Sequence, residues 1–149
     1  MVCFRRRRQA VASVEAAIVF PVIIFLILAI VIGSMGIFRY QEVCFLTREG
    51  ARYASVHGTD YQTEVKSTAA TADDVYNKGI LPRVSTLDTS KLTYSVTWNK
   101  KNSPYTITSS YSKPTVNTVT VTLTYKWMPE MFLVGPITFS TSSTMPVTY

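Results

Sequence analysis

"RRRRQAVASVEAAIVFPVIIFLILAIVIGSMGIF", residues 5–38, decides how this chain is organised. Four arginines, Arg5, Arg6, Arg7 and Arg8, lead into a run of 23 residues, Ala16 to Phe38, with no charged side chain. Ser34 is the one conventionally polar group in that run, and a carboxylate, Glu15, stands at its start. At 1.5 Å per residue the run spans about 34 Å as a helix, enough for a bilayer core of roughly 30 Å. A secretory signal has a shorter apolar region that ends in a small-x-small cleavage site. This run is too long, and it leaves through "GIFRYQEV", residues 36–43, where no such site occurs.

The arginine cluster favours a cytoplasmic N-terminus by the positive-inside rule, opposed in part by Arg39, Arg48 and Arg52 beyond the run. The expected arrangement is a single pass with the remainder of the chain outside, and Phe38 and Tyr40 as interfacial anchors. Pro21 removes the hydrogen bond to the carbonyl of Ala17 and is expected to bend the helix. Ala29 and Gly33 form a small-xxx-small pair that lets another helix approach. Two readings of Glu15 stand side by side. It either rests at the interface in the first helical turn, where the helix dipole favours an anion, or it serves a purpose within the membrane edge.

Arg5 to Arg8 supply four of the 15 basic residues, leaving 11 against 8 acidic ones over residues 39–149. Those positives are scattered rather than gathered on one face, so the basic balance does not point to nucleic acid. Cys3 and Cys44 lie on opposite sides of the apolar run, tens of ångströms apart along a helix. A disulfide needs Cα atoms within roughly 7 Å, so these two cannot pair in one chain. An intermolecular bridge through Cys44 stays open, beside a simple packing role.

Beyond the run, Tyr40, Val43, Cys44, Thr47, Ala51 and Ala54 fall near one helical stripe, so residues 13–57 read as one helix of about 67 Å. Gly58 is the expected stop. Thr59 and Gln62 then have the spacing of a capping box, with Asp60 beside them, for a second amphipathic helix. That helix runs along Tyr61, Val65, Thr68, Ala69, Ala72, Val75 and Tyr76 and ends at Lys78 and Gly79. After it the period becomes two. Leu92, Tyr94, Val96 and Trp98 share one face, and Val119, Val121, Leu123, Tyr125 and Trp127 alternate with threonines and Lys126. "YTITSSY", residues 105–111, reads as a short strand between them, and "MPEMFLVGP", residues 128–136, as a loop. A last strand carries Ile137, Phe139, Met145 and Val147 in phase. The helical stripe and the apolar sheet face bury each other. The fold class expected is α+β: a long N-terminal membrane-spanning helix extended outside the bilayer, a second amphipathic helix, and an antiparallel sheet of three or four strands. The divisions expected are a basic leader at 1–10, a transmembrane helix at 11–38 and an extracytoplasmic domain at 39–149.

The residue types needed for catalysis do not assemble. His57 is the only histidine and precedes Gly58, where it suits the negative end of a helix. Asp73 and Asp74 are adjacent on a helix, so they point apart and make no metal pair. No phosphate loop, HExxH or GxSxG motif occurs. The aromatic stripe of Tyr94, Trp98, Tyr125 and Trp127 reads as sheet core rather than a ligand box. The expectation is therefore no enzyme, no cofactor and no small-molecule substrate.

"RRRRQAVASVEAAIVFPVIIFLIL", residues 5–28, resembles the N-terminus of TadE-like proteins, with an Arg-rich leader, Ala-Val-Glu spacing and a Pro-interrupted apolar helix. "REGARYAS", Arg48 to Ser55, resembles the second hallmark of that family, and it covers Arg48, Glu49, Gly50, Ala51, Arg52 and Tyr53. The closing "GPITFSTSSTMPVTY" is similar to the family's last strand. The resemblance implies a minor pseudopilin of a tight-adherence (Flp-type) pilus, in the inner membrane and supporting attachment and biofilm formation. Its partners would be other pilin or pseudopilin subunits, the assembly platform and a prepilin peptidase. Such precursors are cut to leave Glu fifth in the mature chain, which makes Ala10 the last leader residue and Val11 the first mature one. Ala10 departs from the usual Gly, and Ala16 from the aromatic more often found after the glutamate. In that frame Glu15 neutralises the new amino terminus of its own or a neighbouring subunit and sets the register of packed helices. The competing reading is a bitopic protein whose outer domain binds a ligand or glycan and never polymerises. Buried tryptophans at 98 and 127 favour the scaffold, and exposed ones favour the binding domain.

Overall fold

The computed structural model describes residues 3–107, 114–129 and 135–149, with side chains from residue 12 onward. The chain divides into two compact units, Met1–Ile37 and Phe38–Tyr149. Helix α1 (Cys3–Val56) supplies all the described backbone of the first unit and the opening element of the second.

In the first unit, α1 is helical straight through Pro21. Its large apolar side chains from Val14 to Ile37 are mostly 46–67 % exposed. A soluble core helix hides such a surface, whereas this one leaves it for lipid or for other helices. The helix is long and apolar enough to cross a membrane. Ser34, the polar exception, donates its hydroxyl proton to the carbonyl of Ile30 at 2.8 Å. That satisfies the hydroxyl within its own helix and removes most of its cost in an apolar medium.

The second unit is α+β. Strands β1 (Leu92–Trp98), β4 (Thr118–Trp127) and β5 (Ile137–Pro146) form an antiparallel sheet in the order β1-β4-β5. The alternation seen in the sequence is the alternation of burial. Val119, Val121, Leu123, Tyr125 and Trp127 are buried, while the threonines between them lie on the wet face. Against the apolar face lie Val43, Leu46, Thr47, Gly50, Ala51, Ala54 and Ser55 of α1, all buried. Tyr40, expected on that stripe, is 45 % exposed and touches the sheet through an edge-on contact with Phe139.

Several details differ from the sequence expectation, beginning with α1, which starts at Cys3 rather than at residue 13. The second helix is not continuous: α2 (Thr59–Val65) stops at Lys66, which takes a left-handed φ of 53°. None of its residues is buried, so no apolar stripe holds a longer helix in place. Helicity resumes at α3 (Ala72–Asp74), widens into a π turn (Val75–Ile80), and closes with a 3-10 turn (Leu81–Arg83). The capping box is at Thr71 and Asp74 rather than Thr59 and Gln62, because Gly58 is the cap of α2 and Thr59 already lies inside it. No side chain caps α2, Asp60 included.

Gly58 follows the end of α1 without a left-handed turn, at φ −86°. Its lack of a side chain serves a close approach instead, since a Cβ there would lie 2.3 Å from the carbonyl oxygen of Tyr149. The strand expected within residues 105–111 is only β2 (Tyr105–Thr106). It pairs with β3 (Thr115–Val116) as a separate ribbon, and residues 108–111 lie outside the described part. The loop expected at 128–136 is described only at its two ends.

Candidate functional site

The residues singled out by sequence fall into two groups, one in each unit. Arg5, Arg6, Arg7, Arg8, Ala10 and Val11 lie on the helical backbone of α1, but their side chains are outside the described part. Glu15 is exposed on α1. Ala29 and Gly33 are exposed one helical turn apart, and nothing lies within 4 Å of the position a Gly33 Cβ would take. Pro21 also faces outward. The first unit therefore presents a carboxylate at the start of an uncovered apolar cylinder with a small-residue gap farther along it.

In the second unit the Arg48–Ser55 stretch divides by face. Gly50 and Ala51 are buried, and a Cβ on Gly50 would come within 2.9 Å of Ile80 and 3.4 Å of Val121. Small residues here bring the helix backbone down onto β4 and the π turn. Glu49 pairs with Arg83 at 3.2 Å, and Arg83 also donates to the carbonyl of Gly79 at 2.8 Å. Tyr53 covers Gly79, where a Cβ would lie 2.9 Å from the Tyr53 Cβ. Its ring stacks on His57 at 4.0 Å. His57 Nδ1 lies 2.9 Å from the Tyr53 carbonyl, so this histidine closes the last turn of α1. Arg48 and Arg52 alone of the six point to solvent.

Three polar contacts that sequence reasoning missed tie α1 to the rest of this unit. Thr47 Oγ1 lies 2.5 Å from Thr141 Oγ1 and donates to the Val43 carbonyl at 2.7 Å. Ser55 Oγ donates to the Pro146 carbonyl at 2.5 Å, and the Thr148 amide donates to the Ser55 carbonyl at 2.9 Å. Glu42 accepts from the amides of Ser85 and Thr86 at 2.9 and 2.8 Å, and from the Thr86 hydroxyl. Burial alone would raise the Glu42 carboxyl. The Thr86 and Ser85 hydrogen bonds and the Arg39 charge outweigh it and hold the group below the usual range. Asn117, fully buried between β3 and β4, ties in the segment around β2 and the residue that follows β5: its side-chain amide donates to Ser103 and Thr106, and its carbonyl accepts from Val147. Nothing in a local sequence pattern marks these residues, because each partner is far along the chain.

Asp73 and Asp74 do point apart. Asp73 accepts from the Tyr94 hydroxyl at 2.6 Å, and Asp74 binds Thr71 and Lys78. Among the described residues no group of three His, Cys, Asp or Glu side chains is placed to hold a metal ion. Cys44 is a half-buried free thiol. Trp127 is buried and stacks on Phe139 at 5.9 Å, while Trp98 is half-buried.

Among the described residues one helix, α1, is long and apolar enough to cross a membrane, and its outer part sets small residues, Gly50, Ala51 and Ala54, into the α+β unit. The family of TadE-like proteins matches this chain over residues 10–52. That range begins at the expected leader junction and ends within the Arg48–Tyr53 stretch. No curated protein and no solved structure matches the chain at a significant level.

Proposed function

We propose that this chain is a minor pilin-like subunit or assembly factor of a tight-adherence type pilus, supporting surface attachment and biofilm formation. The observation that carries it is the TadE-like match over residues 10–52, which joins Glu15, the uncovered apolar helix and Arg48 to Arg52 in one block. The basic leader stays in the cytoplasm, the helix holds the chain in the inner membrane, and the α+β domain lies outside. A prepilin peptidase cuts between Ala10 and Val11. Glu15 then faces the new amino terminus of its own or a neighbouring subunit, since an unpaired cation at the bilayer edge is costly. Ala29 and Gly33 let a neighbouring helix close in, and Pro21, which cannot donate to the Ala17 carbonyl, lets the helix bend as it packs.

The alternative, a bitopic protein whose outer domain binds a ligand or glycan, requires aromatic side chains open to solvent. The burial of Trp127 and the partial burial of Trp98 favour a scaffold instead. Amino-terminal sequencing of the protein extracted from membranes, with and without the host's prepilin peptidase, tests the proposal. A Val11 end that depends on the peptidase supports it. An intact Met1 end in both strains removes the cleavage, and unchanged piliation on deleting the gene removes the pilus role.

A further inference from the structure

The open edge of β5 has a fixed phase. The Val147 amide donates to the Asn117 carbonyl at 2.9 Å, and the β4–β5 register continues from there without a bulge from Thr118↔Pro146 to Trp127↔Ile137. Odd-numbered β5 residues therefore turn their backbone groups toward β4, and Thr138, Ser140, Ser142 and Thr144 turn theirs away. Pro146, which lacks an amide proton, falls in the outward phase, and its carbonyl is met from that side by Ser55. Among the described residues no backbone hydrogen bond from outside the sheet reaches residues 137–145. Edge strands are normally guarded by shortness, lysine, bulges or proline along their length. This one has ten residues, no charge, and proline only at its last position.

Beside that edge runs a groove of about 300 Å³, lined by Tyr40, Cys44, Thr47 and Arg48 of α1 and by β5 residues 140–143. An unpaired strand edge flanked by a helix is the geometry in which an extended peptide adds to a sheet. Arg48 is the only charge lining the groove, and it has no carboxylate partner among the described residues. A second copy of this chain supplies no counter-charge through its edge strands, because β5 (ITFSTSSTMP) and β1 (LTYSVTW) are both uncharged.

We propose that the outer edge of β5 binds an extended strand of a different protein, one carrying Asp or Glu opposite Arg48. The backbone of Thr138, Ser140, Ser142 and Thr144 supplies the ladder, and Arg48 supplies the selectivity. The groove lies wholly in the second unit, so the proposal stands or falls apart from the pilus reading.

The test uses the full chain in detergent micelles with two labelled eight-residue Val/Thr peptides, one bearing a central Asp and the other a central Lys. The Asp peptide is expected to bind about tenfold more tightly, the ordinary size of one charge-complementary contact. Binding should slow amide exchange at Thr138, Ser140, Ser142 and Thr144 but not at the odd-numbered positions between them, already bonded to β4. Ser142→Pro should abolish binding without changing the melting temperature, and Arg48→Glu should reverse the preference between the peptides. Equal affinity for the two peptides, or unchanged exchange at those four amides, overturns the proposal. Protection of the four amides in a peptide-free dimer also overturns it, in favour of a second copy on the edge.

Discussion

Gly50 of α1 lies so close to Ile80 that a Cβ on it would stand 2.9 Å from both the Cγ1 and Cδ1 of that side chain. Ile80 is fully buried, so it has little room to withdraw. The seam between α1 and the π turn is set by this contact. The glycine that costs the helix intrinsic stability is what allows the domain to close.

Gly50→Ala is therefore expected to destabilise the protein despite the gain in helix propensity. Overpacking costs about 1–3 kcal/mol, whereas Ala in place of Gly returns about 1 kcal/mol. The net loss should be up to about 2 kcal/mol in a urea melt followed by circular dichroism. Adding Ile80→Val should recover part of it. A Gly50→Ala protein as stable as the parent would show that the contact does not limit the seam.

Gly58 approaches backbone rather than side chain, so its neighbour cannot turn away. Gly58→Ala should displace the Tyr149 and Asn102 carbonyls that now accept from the amides of Gly58 and Thr59 at 2.8 and 2.7 Å. The expected cost is about 2–3 kcal/mol, comparable to a buried backbone hydrogen bond left unmade. Its φ of −86° suits alanine, so the loss would be steric and not conformational. Thermal melts of the two proteins decide it.

Glu42 should make stability depend on acid. Its carboxyl is held below its ordinary value of 4.5 in the folded chain. A group with a depressed folded pKa contributes its full stabilisation above 4.5 and loses it as pH falls through the lower folded value. Glu42→Gln should lower stability at neutral pH by about 1–2 kcal/mol, toward the low end for hydrogen bonds to a charged group because Glu42 is only half-buried. It should also flatten the fall in melting temperature between neutral and acid pH. A parallel fall in both proteins would assign the acid sensitivity elsewhere.

Glu15→Gln should leave membrane insertion intact, because the apolar run is unchanged and one exposed charge is removed. Recovery of the variant in sheared surface filaments should drop several-fold while its level in the membrane fraction is kept. Equal recovery of variant and parent removes the register role of this glutamate.

Much of the architecture was legible along the chain. The apolar run, the helical stripe after it and the threonine-spaced strands each repeat with a period that backbone geometry imposes, so Val119 to Trp127 could be placed on one face before any contact was known. The second helix was not legible. Val65, Thr68, Ala69 and Ala72 have helical spacing, yet α2 buries nothing and ends at Lys66. A periodic pattern shows which face could be buried, but only a packed neighbour keeps it helical.

The sequence by itself determined that one helix carries an apolar surface long enough to cross a bilayer and that a one-faced sheet must be covered, because both follow from local spacing of apolar groups. Only the tertiary structure decided what covers the sheet at each point. Gly50 against Ile80, Thr47 on Thr141 and Glu42 on the Ser85–Thr86 amides all join residues 30 or more apart. Contacts at that separation are set by how the whole chain packs, and no local period encodes them.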